Sequence, residues 1–122
     1  MALLLVADDE FGILRLLEDV LGDEGHTVVI AINGRLALDQ AEAKRPDLLL
    51  TDFMMPVMDG AGLIRGMNAN PALATVPVIV MSSLPEAAIA DRCPPYAAFV
   101  RKPFKIFSLI DLIASQVDGA AR

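Results

Sequence analysis

Five short apolar runs alternate along this chain with segments whose apolar residues recur at helical spacing. The runs are rich in leucine, isoleucine and valine, and they cover Leu3–Ala7, Thr27–Ala31, Leu48–Asp52, Val76–Met81 and Ala97–Arg101. A run that is apolar throughout is typical of a strand buried on both faces, as strands in a parallel sheet are. Strand–helix units joined by short links therefore predict an α/β fold, with a five-stranded parallel sheet and helices on both faces.

The helical segments have recognisable starts and stops. Asn33 is a predicted N-cap for the second helix, which must end before Pro46, and Gly60 opens the third. The fourth is short, from about Pro85 to Arg92, because Pro94-Pro95 prevents continuation. The first and last helices carry apolar stripes, formed by Ile13, Leu16, Leu17, Val20 and Leu21 and by Ile106, Leu109, Ile110, Ile113 and Val117.

Composition narrows the class of protein. A hydrophobic fraction of 55% excludes a disordered chain, and no apolar stretch approaches the roughly 18 residues that a membrane span needs. The first apolar run meets Asp8 too early for a signal peptide. We therefore expect one cytoplasmic domain over residues 1–122, without membrane insertion, that ends in a frayed tail at Asp118–Arg122. The single cysteine excludes an internal disulfide, and the net charge of −6 argues against nucleic-acid binding.

Charged residues follow three of the predicted strands at the point where each ends. Asp8-Asp9-Glu10 follows the first strand, Asp52 closes the third, and Lys102-Pro103 follows the fifth. In an open parallel sheet the carboxyl ends of the strands border a crevice where ligands bind. We expect three acids and one lysine to meet there, in an arrangement suited to a divalent cation beside a reactive carboxylate.

These clusters, together with Ser82 at the end of the fourth strand, resemble those of a response-regulator receiver domain. The resemblance covers essentially the whole chain, and it rests on the combination and order of the motifs, since each alone is weak. It implies a doubly wound, flavodoxin-like (CheY-like) fold with strand order 2-1-3-4-5 and five flanking helices.

The resemblance also implies roles for individual residues. Asp52 would be the phosphoacceptor, and Lys102 would pair with Asp52 and then with the phosphoryl oxygens. Mg²⁺ would be held by Asp9, by Asp52 and by the backbone carbonyl of Met54, with Asp8 assisting through water. The switch residues would be Ser82, whose hydroxyl can donate to a phosphoryl oxygen, and Phe99, which replaces the usual tyrosine and has no hydroxyl.

The implied function is that of a two-component response regulator. Such a domain accepts a phosphoryl group from a histidine kinase or histidine phosphotransferase and catalyses only its own phosphorylation and dephosphorylation. It then switches a surface formed by helix four, strand five and helix five, which would bind a downstream protein or a second copy of itself. A constitutive pseudo-receiver, used only for interaction, is the alternative. An aspartyl-phosphate hydrolase would need a second aspartate at position 54, which is methionine, and acids after the first strand would repel the phosphate of FMN.

Two groups of apolar residues lie off the predicted core stripes. In the first helix, Phe11 and Leu14 are expected to be exposed beside the acidic crevice, where a phosphohistidine partner would dock. In the last helix Phe107 is expected to be exposed, with Leu112 at the margin. Together with Phe99 and Tyr96, they predict an apolar output face, because aromatic anchors carry much of the energy of interfaces.

Overall fold

The computed structural model describes residues 2–120. At its centre is a five-stranded parallel sheet in the order β2-β1-β3-β4-β5. The strands are β1 (Leu3–Ala7), β2 (Thr27–Ala31), β3 (Leu48–Asp52), β4 (Val78–Ser82) and β5 (Ala98–Arg101). All four pairings are parallel, which confirms the predicted topology. The reversal of strand order between β1 and β3 creates the crevice that such folds use for ligands.

Five α-helices connect and cover the strands. They are α1 (Phe11–Asp23), α2 (Gly34–Ala43), α3 (Gly60–Asn68), α4 (Glu86–Ile89) and α5 (Ile106–Ala120), and a 3-10 turn at Ala90–Arg92 continues α4. The predicted N-cap at Asn33 is present, because its side chain accepts a hydrogen bond from the Leu36 amide. No helix within residues 2–120 is long and apolar enough to cross a membrane.

The sheet is buried on both faces by two separate apolar clusters. Leu5 and Leu49 face the cluster that includes α2 and α3, whereas Leu4, Val6 and Leu50 face the cluster under α1 and α5. Alternate residues of each strand therefore enter opposite cores, which explains why the strands read as continuous apolar runs.

The structure corrects the predicted stripe of α1. Leu14 is completely buried, together with Leu17 and Leu21, whereas Leu16 is 49% exposed. The buried stripe has i, i+3 and i+7 spacing. α1 is therefore rotated about its axis relative to the orientation that the predicted stripe implied. Because Leu, Ile and Val also occupy the flanking positions of α1, the sequence offers two overlapping apolar stripes and does not distinguish them. Phe11 is 57% exposed, as predicted.

Several element boundaries also differ from the sequence prediction, since β5 begins at Ala98 rather than Ala97 and β4 ends at Ser82 rather than Met81. β4 begins at Val78 rather than Val76, because Pro77 lacks the amide hydrogen that a strand position needs. The last helix does not fray from Asp118, since α5 continues to Ala120. The end of the predicted tail, residues 121–122, lies outside the described residues.

The loop between β3 and α3 is fixed at the end where it joins α3. The buried Gly60 donates its amide hydrogen to the Phe53 carbonyl at 2.8 Å. A Cβ atom at Gly60 would lie 2.6 Å from the carbonyl oxygen of Asp52, so this close approach requires glycine. At the tip of the same loop, Val57 has a φ of 71°, a conformation that β-branched residues rarely adopt.

Candidate functional site

Three carboxylates meet at the carboxyl end of the sheet. β1 and β3 pair in a register that sets Ala7 opposite Thr51, so Asp8 and Asp52, the next residues, lie side by side. Asp8, Asp9 and Asp52 each offer an oxygen within 4.8 Å of the others. The sheet register alone thus brings together acids that are far apart in the chain.

Asp8 is the most deeply buried of the three, with no exposed surface. One of its oxygens, Oδ1, accepts the Glu10 amide at 2.9 Å, and the other, Oδ2, accepts Lys102 Nζ at 2.7 Å. A buried carboxylate is costly unless it is paired and hydrogen-bonded. Both oxygens of Asp8 satisfy that condition.

Lys102 lies between two carboxylates. Its ammonium nitrogen is 2.7 Å from Asp8 Oδ2 and 3.5 Å from Asp52 Oδ1. Burial by itself lowers the pKa of Lys102, but the hydrogen bond that Lys102 donates to Asp8 and the negative charges of Asp52 and Asp8 outweigh it, so the pKa is raised. Lys102 therefore stays positively charged. Its nearer partner is Asp8, whereas Asp52 was the partner expected from the sequence.

The Asp52 carboxyl group is a weaker acid than an ordinary aspartate. Burial and the neighbouring charge of Asp8 raise its pKa from 3.8 to about 6, against the lowering influence of Lys102. Its backbone carbonyl accepts the hydroxyl of the buried Thr51 at 2.9 Å. A cation bound among the three acids would favour the ionised form of Asp52, because positive charge stabilises a carboxylate.

Ser82, the last residue of β4, is also buried, with 1% of its surface exposed. Its hydroxyl oxygen accepts a hydrogen bond from the Leu84 amide at 3.0 Å. A serine hydroxyl has one hydrogen to donate besides its acceptor sites. The contact with Leu84 uses only an acceptor site, so the hydroxyl hydrogen stays available to a group bound beside it.

These side chains border a cleft of about 610 Å³. Asp9, Asp52, Ser82 and Lys102 line its polar part, and Met54, Leu16, Pro103 and Phe104 are among its apolar residues. The cleft is much larger than a phosphoryl group. Its apolar side thus offers a surface for something bulkier than a phosphoryl group.

The donor set of the cleft fits a magnesium ion. Mg²⁺ prefers oxygen ligands in octahedral geometry and usually keeps several waters, so one or two carboxylates suffice. The three acids supply only oxygen donors, and Asp9 is exposed while Asp8 is engaged by Lys102. Asp9 and Asp52 are thus the side chains with most freedom to coordinate a cation.

Phe99 does not line this cleft. It lies in β5 opposite Val80 and packs, partly buried, against the cluster on the α2 and α3 side of the sheet. Its ring is 6.4 Å from that of Tyr96, with a 44° angle between the planes. The switch position predicted from sequence thus lies on one face of the sheet and not among the charged residues at its carboxyl end.

Sequence reasoning missed two contacts that surround the β4–α4 segment. Arg101 donates Nε–H to the Ser83 carbonyl at 2.9 Å, and Tyr96 donates its hydroxyl to Glu86 at 2.6 Å. The first depends on the register that sets Ser82 opposite Arg101. No local pattern marks either pair, because the partners come from different elements.

A family model described as "Response regulator receiver domain" matches residues 4–114. The chain belongs to this family. Receiver domains of solved structure share its fold. That of a signal transduction histidine kinase from Syntrophus aciditrophicus has a TM-score of 0.91 at 29% identity, and the match covers 100% of this chain and 94% of the other.

Receiver domains occur in proteins of very different length. Sporulation initiation phosphotransferase F of Bacillus subtilis is 33% identical over 90% of this chain and 89% of its own length. Response regulator PleD of Caulobacter vibrioides is 39% identical over 68% of this chain, but the match spans only 18% of PleD. The probable transcriptional regulator ycf29 of Pyropia yezoensis is 30% identical over 90% of this chain and is matched over half its length.

A receiver domain with a bound cation provides a further likeness in fold. The receiver domain of sensor histidine kinase PA1611 from Pseudomonas aeruginosa was crystallised with a magnesium ion in its active-site cleft. It has a TM-score of 0.89 and 24% identity, and the match covers 96% of this chain and 98% of the other.

Proposed function

We propose that this receiver domain accepts a phosphoryl group on Asp52 from a phosphohistidine of a histidine kinase or histidine phosphotransferase. The observation that carries the proposal is the position of Asp52 within 4.8 Å of two further carboxylates and 3.5 Å from Lys102. A carboxylate can act as a nucleophile and form a covalent acyl-phosphate. The surrounding groups supply positive charge and, with Asp9, a cation site for that reaction.

The proposed transfer is a displacement at phosphorus. An oxygen of Asp52 attacks, the new P–O bond forms as the P–N bond of the phosphohistidine breaks, and the imidazole nitrogen keeps the electron pair. Lys102 neutralises charge on the equatorial oxygens, which is the main catalytic task in phosphoryl transfer. Asp9, Asp52 and the Met54 carbonyl would hold a Mg²⁺ ion, with Asp8 assisting through a water, and the ion would supply further positive charge for the transfer.

The product would place about −2 charge in the cleft. Ser82 is positioned to respond, since its hydroxyl hydrogen is available while its oxygen holds the Leu84 amide. A move of Ser82 towards the phosphoryl group would pull on the β4–α4 segment. A local change in charge would thereby alter the surface of α4, β5 and α5.

That surface has the character of a binding face for a downstream protein or a second copy of the domain. Phe107 is 79% exposed, and a groove of about 350 Å³ between β5 and α5 includes Phe99 and Leu112. Large exposed aromatic residues are typical anchors of protein interfaces. A constitutive pseudo-receiver would have no need of the charged cleft, so the full set of phosphorylation residues favours the switch.

Mass spectrometry after incubation with acetyl phosphate and Mg²⁺ tests the proposal. We expect one added phosphoryl group on the native chain and none on Asp52→Asn. Asp19→Asn is the matched control, because Asp19 is an exposed acid of α1 outside the cleft. An adduct that persists in Asp52→Asn would contradict the assignment of the phosphoacceptor.

A further inference from the structure

The side chain of Tyr96 ties the approach to β5 to the start of α4. Its hydroxyl donates to Glu86 Oε2 at 2.6 Å, a short distance typical of a bond to an ionised acceptor. Tyr96 precedes β5, and Glu86 is the first residue of α4. The hydrogen bond with Glu86, followed by burial, raises the pKa of Tyr96 to about 12, so the donor keeps its proton at ordinary pH.

α4 has few other attachments to the body of the domain. It is four residues long, and Ile89 is its only buried residue. Elements with few buried contacts open most easily, so the position of α4 depends strongly on single contacts. The Tyr96–Glu86 hydrogen bond fixes the end of α4 that lies nearer to Ser82 in the chain.

The same tyrosine contacts the residue at the expected aromatic switch position. The Tyr96 and Phe99 rings lie 6.4 Å apart, within the range in which aromatic pairs attract each other. Phe99 has no hydroxyl, so it cannot hydrogen-bond to α4 or to the segment before it. Tyr96 is the chain's only tyrosine, and its hydroxyl already makes such a bond.

We propose that the Tyr96–Glu86 hydrogen bond is a latch on α4 that a phosphoryl group on Asp52 opens. This inference rests on the proposed function. Ser82 is four residues before Glu86, and its oxygen holds the Leu84 amide between them. Movement of Ser82 towards the phosphoryl group displaces this segment and draws Glu86 from Tyr96. Coupling is reciprocal, so loss of the latch must also favour the phosphorylated form.

The chain provides its own probe for this latch, because it has one tyrosine and no tryptophan. Tyrosine fluorescence is quenched when the hydroxyl is hydrogen-bonded to a carboxylate. Beryllium fluoride with Mg²⁺, a stable mimic of the acyl-phosphate, should therefore raise the emission of the native protein. Glu86→Gln should be brighter before the mimic is added and should show little further rise. Asp91→Asn, which removes an exposed acid just beyond α4, should behave as the native chain.

The affinity for the mimic gives the second measurement. ¹⁹F NMR titration should show about two- to ten-fold tighter binding by Tyr96→Phe and by Glu86→Gln, the range expected for one hydrogen bond. A mimic that binds Asp52 without changing Tyr96 emission, or with equal affinity in these variants, would overturn the latch and leave the proposed function standing. Mimic binding that is unchanged in Asp52→Asn would instead contradict the proposed function and the latch with it.

Discussion

Lys102 forms its hydrogen bond with Asp8, whose Oδ2 is 2.7 Å from the ammonium nitrogen. The carboxylate of Asp8 has no exposed surface, so Lys102 provides the main positive charge that makes its burial tolerable. Asp52 takes the more distant position at 3.5 Å. Asp8 thereby holds the lysine within reach of the Asp52 carboxylate.

Replacement of Lys102 by methionine should destabilise the metal-free protein. The change leaves Asp8 as a buried carboxylate without its counter-charge, which we expect to cost about 2–4 kcal/mol of unfolding free energy. Urea unfolding in the presence of a chelator measures the difference. The double variant Lys102→Met/Asp8→Asn should recover much of the loss. Equal stability of native and Lys102→Met proteins would show that Asp8 needs no partner.

The raised pKa of Asp52 predicts how stability depends on pH. Between pH 3.8 and about 6 the folded protein binds more protons at Asp52 than the unfolded chain does. The contribution of this residue to stability therefore falls as pH rises through that window. Asp52→Asn should stabilise the metal-free protein by about 1–2 kcal/mol at pH 7.5. The gain should largely vanish near pH 3.5, and a gain that grows on acidification would contradict the shift.

Val57 offers a direct test of backbone strain. It is 82% exposed and has a φ of 71°, so it is strained without contributing much to the core. Asparagine adopts this conformation more readily. We expect Val57→Asn to raise the unfolding free energy by about 1 kcal/mol. Val57→Ala is the control and should gain less, because alanine lacks the short polar side chain with which asparagine can hydrogen-bond locally in this conformation. A loss of stability in Val57→Asn would exclude strain at this position.

Two of the leucines of α1, Leu14 and Leu16, separate folding from partner docking. Leu14→Ala should cost about 2–4 kcal/mol, because Leu14 is fully buried. Leu16→Ala should change stability by less than about 0.5 kcal/mol. Since Leu16 lines the cleft, we expect its replacement to slow transfer from a phosphohistidine partner but not from acetyl phosphate. Equal rates with both donors would place the partner's docking surface elsewhere.

Phe107 tests the proposed output face. Because it is 79% exposed, Phe107→Ala should alter stability by less than about 0.5 kcal/mol and leave phosphorylation unchanged. Analytical ultracentrifugation of the phosphorylated protein, alone and with a partner, should show weaker association in the variant. Association that is indifferent to Phe107 would show that another surface carries the output.

The strands could be predicted because each is apolar on both sides and ends at a charge or a turn. Leu48–Asp52 was predicted with its observed bounds, and Asp52 followed from that boundary. The stripe of α1 was predicted wrongly, since Leu14 and Leu16 are equally apolar and only the packing on the sheet selects Leu14. Periodicity gives the period of a helix, but its rotation depends on the neighbouring layer.

The charged cleft was predictable for the same reason, because strand order and register decide which strand ends meet. Which charged groups of the cleft pair with each other was less predictable. That Lys102 hydrogen-bonds Asp8 rather than Asp52 depends on differences of less than 1 Å, which no residue pattern encodes. The Tyr96–Glu86 bond likewise requires the approach to β5 to lie beside α4.

The close approach at Gly60 affects how this domain tolerates change. A side chain there would displace the backbone of Asp52, whereas the tip of the same loop already accommodates a valine in an unfavourable conformation. Substitutions at the exposed tip, Pro56 and Val57, can therefore accumulate with little effect on where the Asp52 carboxylate points. Protein engineers could vary this loop tip as a library to alter partner choice, while a single methyl group at position 60 would disturb the site from which the loop begins.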